Sequence, residues 1–452
     1  MKNIFISILT TFIVLAPVKA QCDQPTPQEI AKWKTAAKQG DAPAQFNIGL
    51  LHATGQGLRQ DYGEAMKWYK LAAEQGNAAA QLNIGNMYVT GQGIEQDYEE
   101  AMKWYKLAAE QGNAIAQYNV GLMYATGRGV SQDYGEAMKW HKLAAEQGDA
   151  GAQLSIGNMY AAGHGVEQNY GEALKWYKLA AEQGNAIAQY NVGLMYATGR
   201  GVSQDYGEAM KWHKLAAEQG DAGAQLSIGN MYAAGHGVEQ NYGEAMKWYK
   251  PAAEQGNAVA QYNVGLLYAN GHSVKQDYGE AMKWYSSAAE QNFASAQLSI
   301  GNMHASGQGV RQDYREAMKW YKLAADQGNA IAQHNVGLMY ATGQGASQDY
   351  GEAMKWYKLA AEQGDAGAQL SIGNMYAAGQ GIEQDYEEAM KWYMLAAEQA
   401  NAIAQYNVGL LYADGQGVKQ DKKAAKEWYR KACDNGLQKG CDAYRKLNEA
   451  GH

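Results

Sequence analysis

The chain has 452 residues, a formal net charge of −8, 54 glycines and only five prolines, Pro17, Pro25, Pro27, Pro43 and Pro251. An acidic balance without a lysine or arginine stripe excludes a nucleic-acid scaffold, because holding phosphate backbones needs clustered cations. A globular chain of this length would be expected to divide into about three domains. The absence of a Ser/Gly linker and the regular spacing of the glycines argue instead for one continuous array.

Residues 1–20 read as a secretory signal. Lys2 supplies the positive start, Ile4 to Ala16 the apolar stretch, and Val18 with Ala20 the small residues before a cut ahead of Gln21. The apolar run is too short to span a bilayer, so no transmembrane anchor is expected after cleavage. Gln21 occupies a position unsuited to a lipid anchor at Cys22, whose state stays open among free, modified and intermolecular forms. Residues 21–39 resemble half of the unit that follows, with Trp33 aligned on Tyr69, and are expected to cap the array.

From 40 to 435 one phrase of about 36 residues returns eleven times, as GNAIAQYNVGLMYATGRGVSQDYGEAMKWHKLAAEQ from Gly112 to Gln147. A fixed period in this range predicts a solenoid in which each unit touches its neighbours. Asn113 is the expected N-cap and Gly127 the expected C-terminal stop of a first helix. Asp133 and Glu136 are spaced as a capping box for a second helix, which Gly148 ends. Helical periodicity places Ala116, Val120, Met123 and Tyr124 on the buried arc of the first helix. Ala137, Trp140, Ala144 and Ala145 form the facing stripe of the second, with the tryptophan as its large packing element. Lys139 and Lys142 alternate with Glu136 and Glu146 as a solvated face.

Two kinds of copy alternate. Odd copies carry an aromatic with leucine, as Tyr118 and Leu122, and even copies carry leucine with asparagine, as Leu154 and Asn158, so that the duplicating unit spans 72 residues. Gly112 to Gln147 and Gly184 to Gln219 are identical. Pro251 lies within a second helix and is expected to kink it. From Asp421 the last copy turns lysine- and arginine-rich, and residues 436–452 read as a C-terminal capping helix with a polar outer face. Cys433 and Cys441 flank the turn between these two helices. In an exported chain a disulfide is the expected state, with two free thiols as the alternative.

The glycine and tyrosine three apart in the first helix (Gly121, Tyr124), the G-x-G-V loop (Gly127, Gly129, Val130) and the A-x-x-W-x-x-x-A-A second helix resemble the Sel-one-like repeat family, a subclass of tetratricopeptide-like α-solenoids. The resemblance covers roughly nine tenths of the chain. It implies an all-α, right-handed superhelical solenoid of eleven helix-turn-helix units and an adaptor role in envelope maintenance or host contact. The spacing of Cys433 and Cys441 also resembles secreted family members that staple their units with disulfides.

No H-E-x-x-H, Walker-type loop, nucleophile elbow or S-x-x-K sequence is present, so no catalytic residue, cofactor or metal ligand is expected. His141 and His213 occupy the slot of Tyr105 and Tyr177, and His164 and His236 the loop slot of Arg128. All four read as surface substitutions carried along by duplication. Copy-to-copy variation collects instead on the first helix at Ile115, Tyr118, Asn119, Leu122 and Thr126. Ile115, Tyr118, Leu122 and Thr126 share a stripe about 145° from the buried arc. That stripe resembles the lining of the inner groove in related stacks. The expected partner-binding residues are therefore Tyr118, Asn119, Leu122, Leu154, Asn158, Tyr190, Asn191, Leu194, Leu226, Asn230, Tyr262 and Asn263.

Asparagine amides can pair with both halves of a peptide group, and tyrosine offers a large rigid contact. The expected function is an exported, non-enzymatic scaffold for a protein or extended peptide, periplasmic or secreted, with cell-wall material as a further candidate ligand. A cell-wall-active or β-lactam-binding hydrolase and a purely structural spacer are the alternatives.

Overall fold

The computed structural model describes residues 25–451, so the expected signal segment and Cys22 lie outside the described residues. Among these residues there are 24 helices, from Pro27–Lys38 to Gln438–Glu449, and no strand. The architecture is an α-solenoid: within each of its two compact units, a first helix packs on its own second helix, and that second helix packs on the next first helix. The helices group into two compact units. One comprises the residues up to Met231 with His236–Glu239, and the other comprises Tyr232–Gly235 with the residues from Gln240 on. No described helix is long and apolar enough to cross a membrane.

The helix boundaries follow from local chemistry. The first helix of the third copy is Ala114–Thr126, where Asn113 accepts a hydrogen bond from the Ala116 amide at 2.9 Å and Gly127 closes the end in the left-handed region. The second helix is Tyr134–Glu146, capped by Asp133, which accepts from the Glu136 amide at 3.0 Å. Only half of the expected capping box forms. The Asp133 amide already donates to the Tyr124 carbonyl at 2.9 Å, and Glu136 turns outward to pair with Lys139. In the loop between the helices Gly129 has φ +66°, and a Cβ there would lie 2.2 Å from the Tyr98 carbonyl oxygen of the preceding copy. The loop thus docks on its neighbour through bare backbone.

Glutamines tie successive copies together. Gln117 Nε2 donates to the Ala109 carbonyl at 3.1 Å in the preceding copy, while Gln117 Oε1 accepts from Gln147 Nε2 at 2.7 Å. The same pair recurs at Gln45 with Gln75, Gln189 with Gln219 and Gln333 with Gln363. The first-helix glutamine of each pair is buried yet satisfied, which removes the cost of enclosing an amide.

The helix containing Pro251 runs unbroken over Tyr242–Glu254, with the Gln255 amide donating to the Pro251 carbonyl at 3.2 Å. Pro251 stands where Leu179 is 45% exposed. The ring removes the amide that would donate to the Lys247 carbonyl, yet at this outward position the helix continues past it. At the C-terminus Cys433 and Cys441 are joined by a disulfide with their Cα atoms 4.5 Å apart, which ties Lys422–Asp434 to Gln438–Glu449.

Ala400 holds φ +61° at the turn position that Gly112 and Gly148 fill elsewhere. An L side chain in this region is disfavoured by about 1–2 kcal/mol. The substitution Ala400→Gly is expected to raise stability by about 1 kcal/mol, read as a later urea midpoint for the full chain. An earlier midpoint would show that the Ala400 side chain contributes more than its strain costs.

Candidate functional site

The surface expected to bind a partner begins with a ring in the core. In every second helix the residue after the tryptophan points into the helix pair: Tyr105 and Tyr177 are fully buried, and His141 and His213 are 1% exposed. Trp140 is only half-buried on the flank. This corrects two expectations, the tryptophan as the main wedge and the two histidines as surface residues. Position 141 lies one turn from Ala137 and one turn from Ala145, in the middle of the buried stripe, whereas 140 lies at its edge. Each ring rests on a first-helix glycine. A Cβ on Gly157 would come within 2.5 Å of Tyr177 Cδ1 and Cε1, and one on Gly121 within 2.7 Å of the His141 ring.

The two kinds of copy complete the surroundings of this ring differently. In even copies the asparagine of the stripe accepts the ring hydroxyl. Tyr105 donates to Asn86 Oδ1 at 2.7 Å, Tyr177 to Asn158 at 2.8 Å, Tyr321 to Asn302 at 2.8 Å and Tyr393 to Asn374 at 2.9 Å. In odd copies a second aromatic covers the ring, with centroids 5.5 Å apart for Tyr118 and His141, 5.6 Å for Tyr190 and His213, and 5.6 Å for Tyr262 and Tyr285.

The stripe expected to be free of packing duty therefore carries part of it. Tyr118 and Tyr190 also press on the next copy, where a Cβ on Gly151 would lie 3.3 Å from Tyr118 Cζ and one on Gly223 3.1 Å from Tyr190 Cζ. Burial raises the pKa of both tyrosines, and Ser155 and Ser227 of that copy lie beside their hydroxyls. His334 takes the same place over Gly367, with Nδ1 3.6 Å from Asp365. The rings at 118, 190 and 334 are each matched by glycine in the following even copy, a fit that accords with a 72-residue unit, whereas Ala79 and Ser295 stand at that position after Phe46 and Tyr262.

Among the expected binding residues, Tyr118, Asn119, Leu122 and Asn191 are buried. Leu154, Asn158, Tyr190, Leu194, Leu226, Tyr262 and Asn263 are half-buried, and Asn230 is exposed. Asn263 bonds the Tyr249 hydroxyl of the preceding copy, so it also serves the stack. Identical sequence gives different exposure: Tyr118 and Leu122 are 5% and 4% exposed, while Tyr190 and Leu194, one 72-residue period on, are half-buried. In the second unit the stripe is open. Leu338 is 44% exposed, Ile331 55% and Ile403 51%, and Asn302 and Asn374 are exposed on the first helices that flank Leu338. With Oδ1 held by a tyrosine hydroxyl, the Asn302 and Asn374 amides are oriented by the core.

The sequence reading missed the glutamine pairs, although a polar residue repeated at one position within an apolar helix was the signal for them. It also missed the loop stacks, in which His164 lies on Tyr134 at 4.6 Å, His236 on Tyr206 at 4.8 Å and Arg128 over Tyr98 at 5.7 Å. Among the described residues no three His, Cys, Asp or Glu side chains gather as metal ligands would. The open stripe offers oriented amides and aliphatic contacts, which suit recognition of another chain.

A family model described as Sel1 repeat matches eleven consecutive segments, from 42–77 to 402–437. A protective antigen present in uropathogenic Escherichia coli strains, displaying an SLR fold, is 35% identical with a TM-score of 0.83, and the match covers 93% of this chain and 90% of that one. A Sel1 repeat protein from Oxalobacter formigenes is 36% identical with a TM-score of 0.55, over 69% of this chain and 90% of that one. No curated protein matches the chain.

Two predictions follow from the ring and glycine contact. The substitution Gly157→Ala drives a methyl into the buried Tyr177 ring and is expected to cost about 2–3 kcal/mol despite the better helix propensity of alanine. A full-chain urea midpoint that stays in place would refute the contact as a constraint.

Burial holds His141 and His213 well below the usual histidine range, at about 4. The folded state therefore favours the neutral ring. The stability this confers is present above pH 6.5, falls as the pH drops towards 4, and amounts to about 3 kcal/mol for each histidine. Replacing both by tyrosine, as in the other copies, is expected to flatten the stability profile between pH 6.5 and 4. A profile that is the same in the variant would exclude these two rings as its source.

Proposed function

The chain belongs to the Sel1 repeat family, and on that premise we propose that it is an exported scaffold that captures a protein or extended peptide along the open stripe of its first helices. Sel1 repeats generally bind proteins, and the family is generally non-catalytic. The observation that carries the reading is the sequence of side chains on three successive first helices of the second unit: exposed Asn302, Leu338 at 44% exposure and exposed Asn374. An aliphatic contact set between amides held by Tyr321 and Tyr393 supplies apolar area together with donors for peptide carbonyls. Holding the amides in advance lowers the entropy lost on binding.

Three features support export. The first twenty residues have the pattern of a signal segment, the described C-terminus carries a disulfide, and a relative matched over nine tenths of its length is a protective antigen present in uropathogenic bacteria. Together these features favour the envelope or the outside of the cell, periplasmic or secreted. Disulfides persist in such oxidising compartments.

A photo-crosslinking residue at Leu338 tests the stripe, and one at Leu359, 45% exposed on a second helix, serves as its control. In cells that express the chain, adducts are expected from position 338 and not from 359, and they should fall in the Asn302→Ala, Asn374→Ala variant. Adducts from 359 alone would move the partner to the second helices. Adducts from neither would favour a spacer. Amino-terminal sequencing of the mature chain is expected to begin at Gln21.

A further inference from the structure

In an array of near-copies, departures from the shared phrase mark positions released from the common packing role, and two that no other copy carries meet at one place. Arg315 stands where Gly135, Gly171 and Gly351 stand, and Ala346 where Val130, Val166 and Val202 stand; beside them are His304 and Arg311, a pair that only the first copy repeats, as His52 and Arg59, while Lys275 and Lys419 share the Arg311 slot. All four line a single cleft of about 1120 Å³ in the second unit. The cleft runs between the loop leading into the helix Tyr314–Asp326 and the loop of the following copy, where Ser347 adds a hydroxyl.

The two arginines are uncommitted. Neither guanidinium has an ion-pair or hydrogen-bond partner among the described residues, and both residues are exposed. By contrast, Arg128 lies over the Tyr98 ring and Arg430 pairs with Glu427 at 2.8 Å. The one acid lining the cleft, Asp313, is occupied as a helix cap and accepts from the Arg315 amide at 2.9 Å and the Glu316 amide at 3.1 Å. Two guanidinium groups against one engaged carboxylate make a local positive site on a chain whose net charge is −8. The smaller Ala346 leaves room that valine fills in other copies, and Tyr314 offers a ring in the wall. Planar guanidinium forks match the paired oxygens of phosphate and carboxylate groups.

We propose that this cleft binds an oxyanionic group, phosphate or carboxylate, on a small ligand, with Arg311 and Arg315 as the clamp and Ser347 as an additional donor. The site lies on the loop edge of the stack, and it stands or falls independently of the first-helix stripe.

Calorimetric titration of the full chain at constant ionic strength tests the proposal, with inorganic phosphate, pyrophosphate and citrate as probes. Saturable binding is expected, weakened at least tenfold in the Arg311→Ser, Arg315→Gly variant. Both replacements are residues that other copies carry at these positions, so the variant should keep its fold. Ala346→Val is expected to weaken binding without changing charge. Tighter binding of the phosphate probes assigns a phosphoryl ligand and tighter binding of citrate assigns a carboxylate, and either result upholds the cleft. Absence of saturable binding for all three probes, or binding undiminished in the double variant, overturns it.

Discussion

An aromatic ring lying on a bare stretch of helix backbone sets the spacing of every helix pair. Because Gly85, Gly157 and Gly301 have no Cβ, the rings of Tyr105, Tyr177 and Tyr321 come closer to the first helix than any side chain would permit. Alanines such as Ala101, Ala108 and Ala109 fill the remainder of the interface with small, rigid volume. A methyl group on either side of this contact would have to be absorbed by a close-packed interior with little room to give. The glycine and the ring therefore act as one element, and neither can change alone.

Once the pair is fixed, coupling between copies falls to a few directional contacts. Gln117 spans two second helices, Gly129 seats a loop on the preceding copy, and Tyr118 presses on Gly151 of the next. Each of these reaches only the adjacent copy, as expected of an array whose stability is a sum of neighbouring interfaces. The ring and glycine matched across three of these interfaces accord with copies resembling their second neighbours more closely than their first. A copy inserted singly would set two rings, or two gaps, against each other.

Function then has to use what the packing leaves over. The ring hydroxyls that satisfy Asn158, Asn302 and Asn374 link the core to the surface, since the same bond that closes the interior also holds an amide in place outside it. The loop edge is freer still, because its side chains stack on a tyrosine or face water. Arg315 and Ala346 have diverged there without disturbing the helix pairs beneath them.

The repeat period, the thirteen-residue helices, their Asn and Asp caps and the glycine stops are legible in the sequence because each depends on residues within one helical turn. The adjacency of Cys433 and Cys441 is legible for the same reason, since only a short turn separates them. Which aromatic enters the core became plain in the tertiary structure, where the ring at 141, central in the alanine stripe, meets the bare backbone of Gly121 while Trp140 stays at the stripe's edge. The double duty of Tyr118, the glutamine pairs and the loop-edge cleft were likewise out of reach of the sequence. They join residues 23 to 35 positions apart, and that pairing exists only once the helices of one copy and of its neighbour are laid side by side.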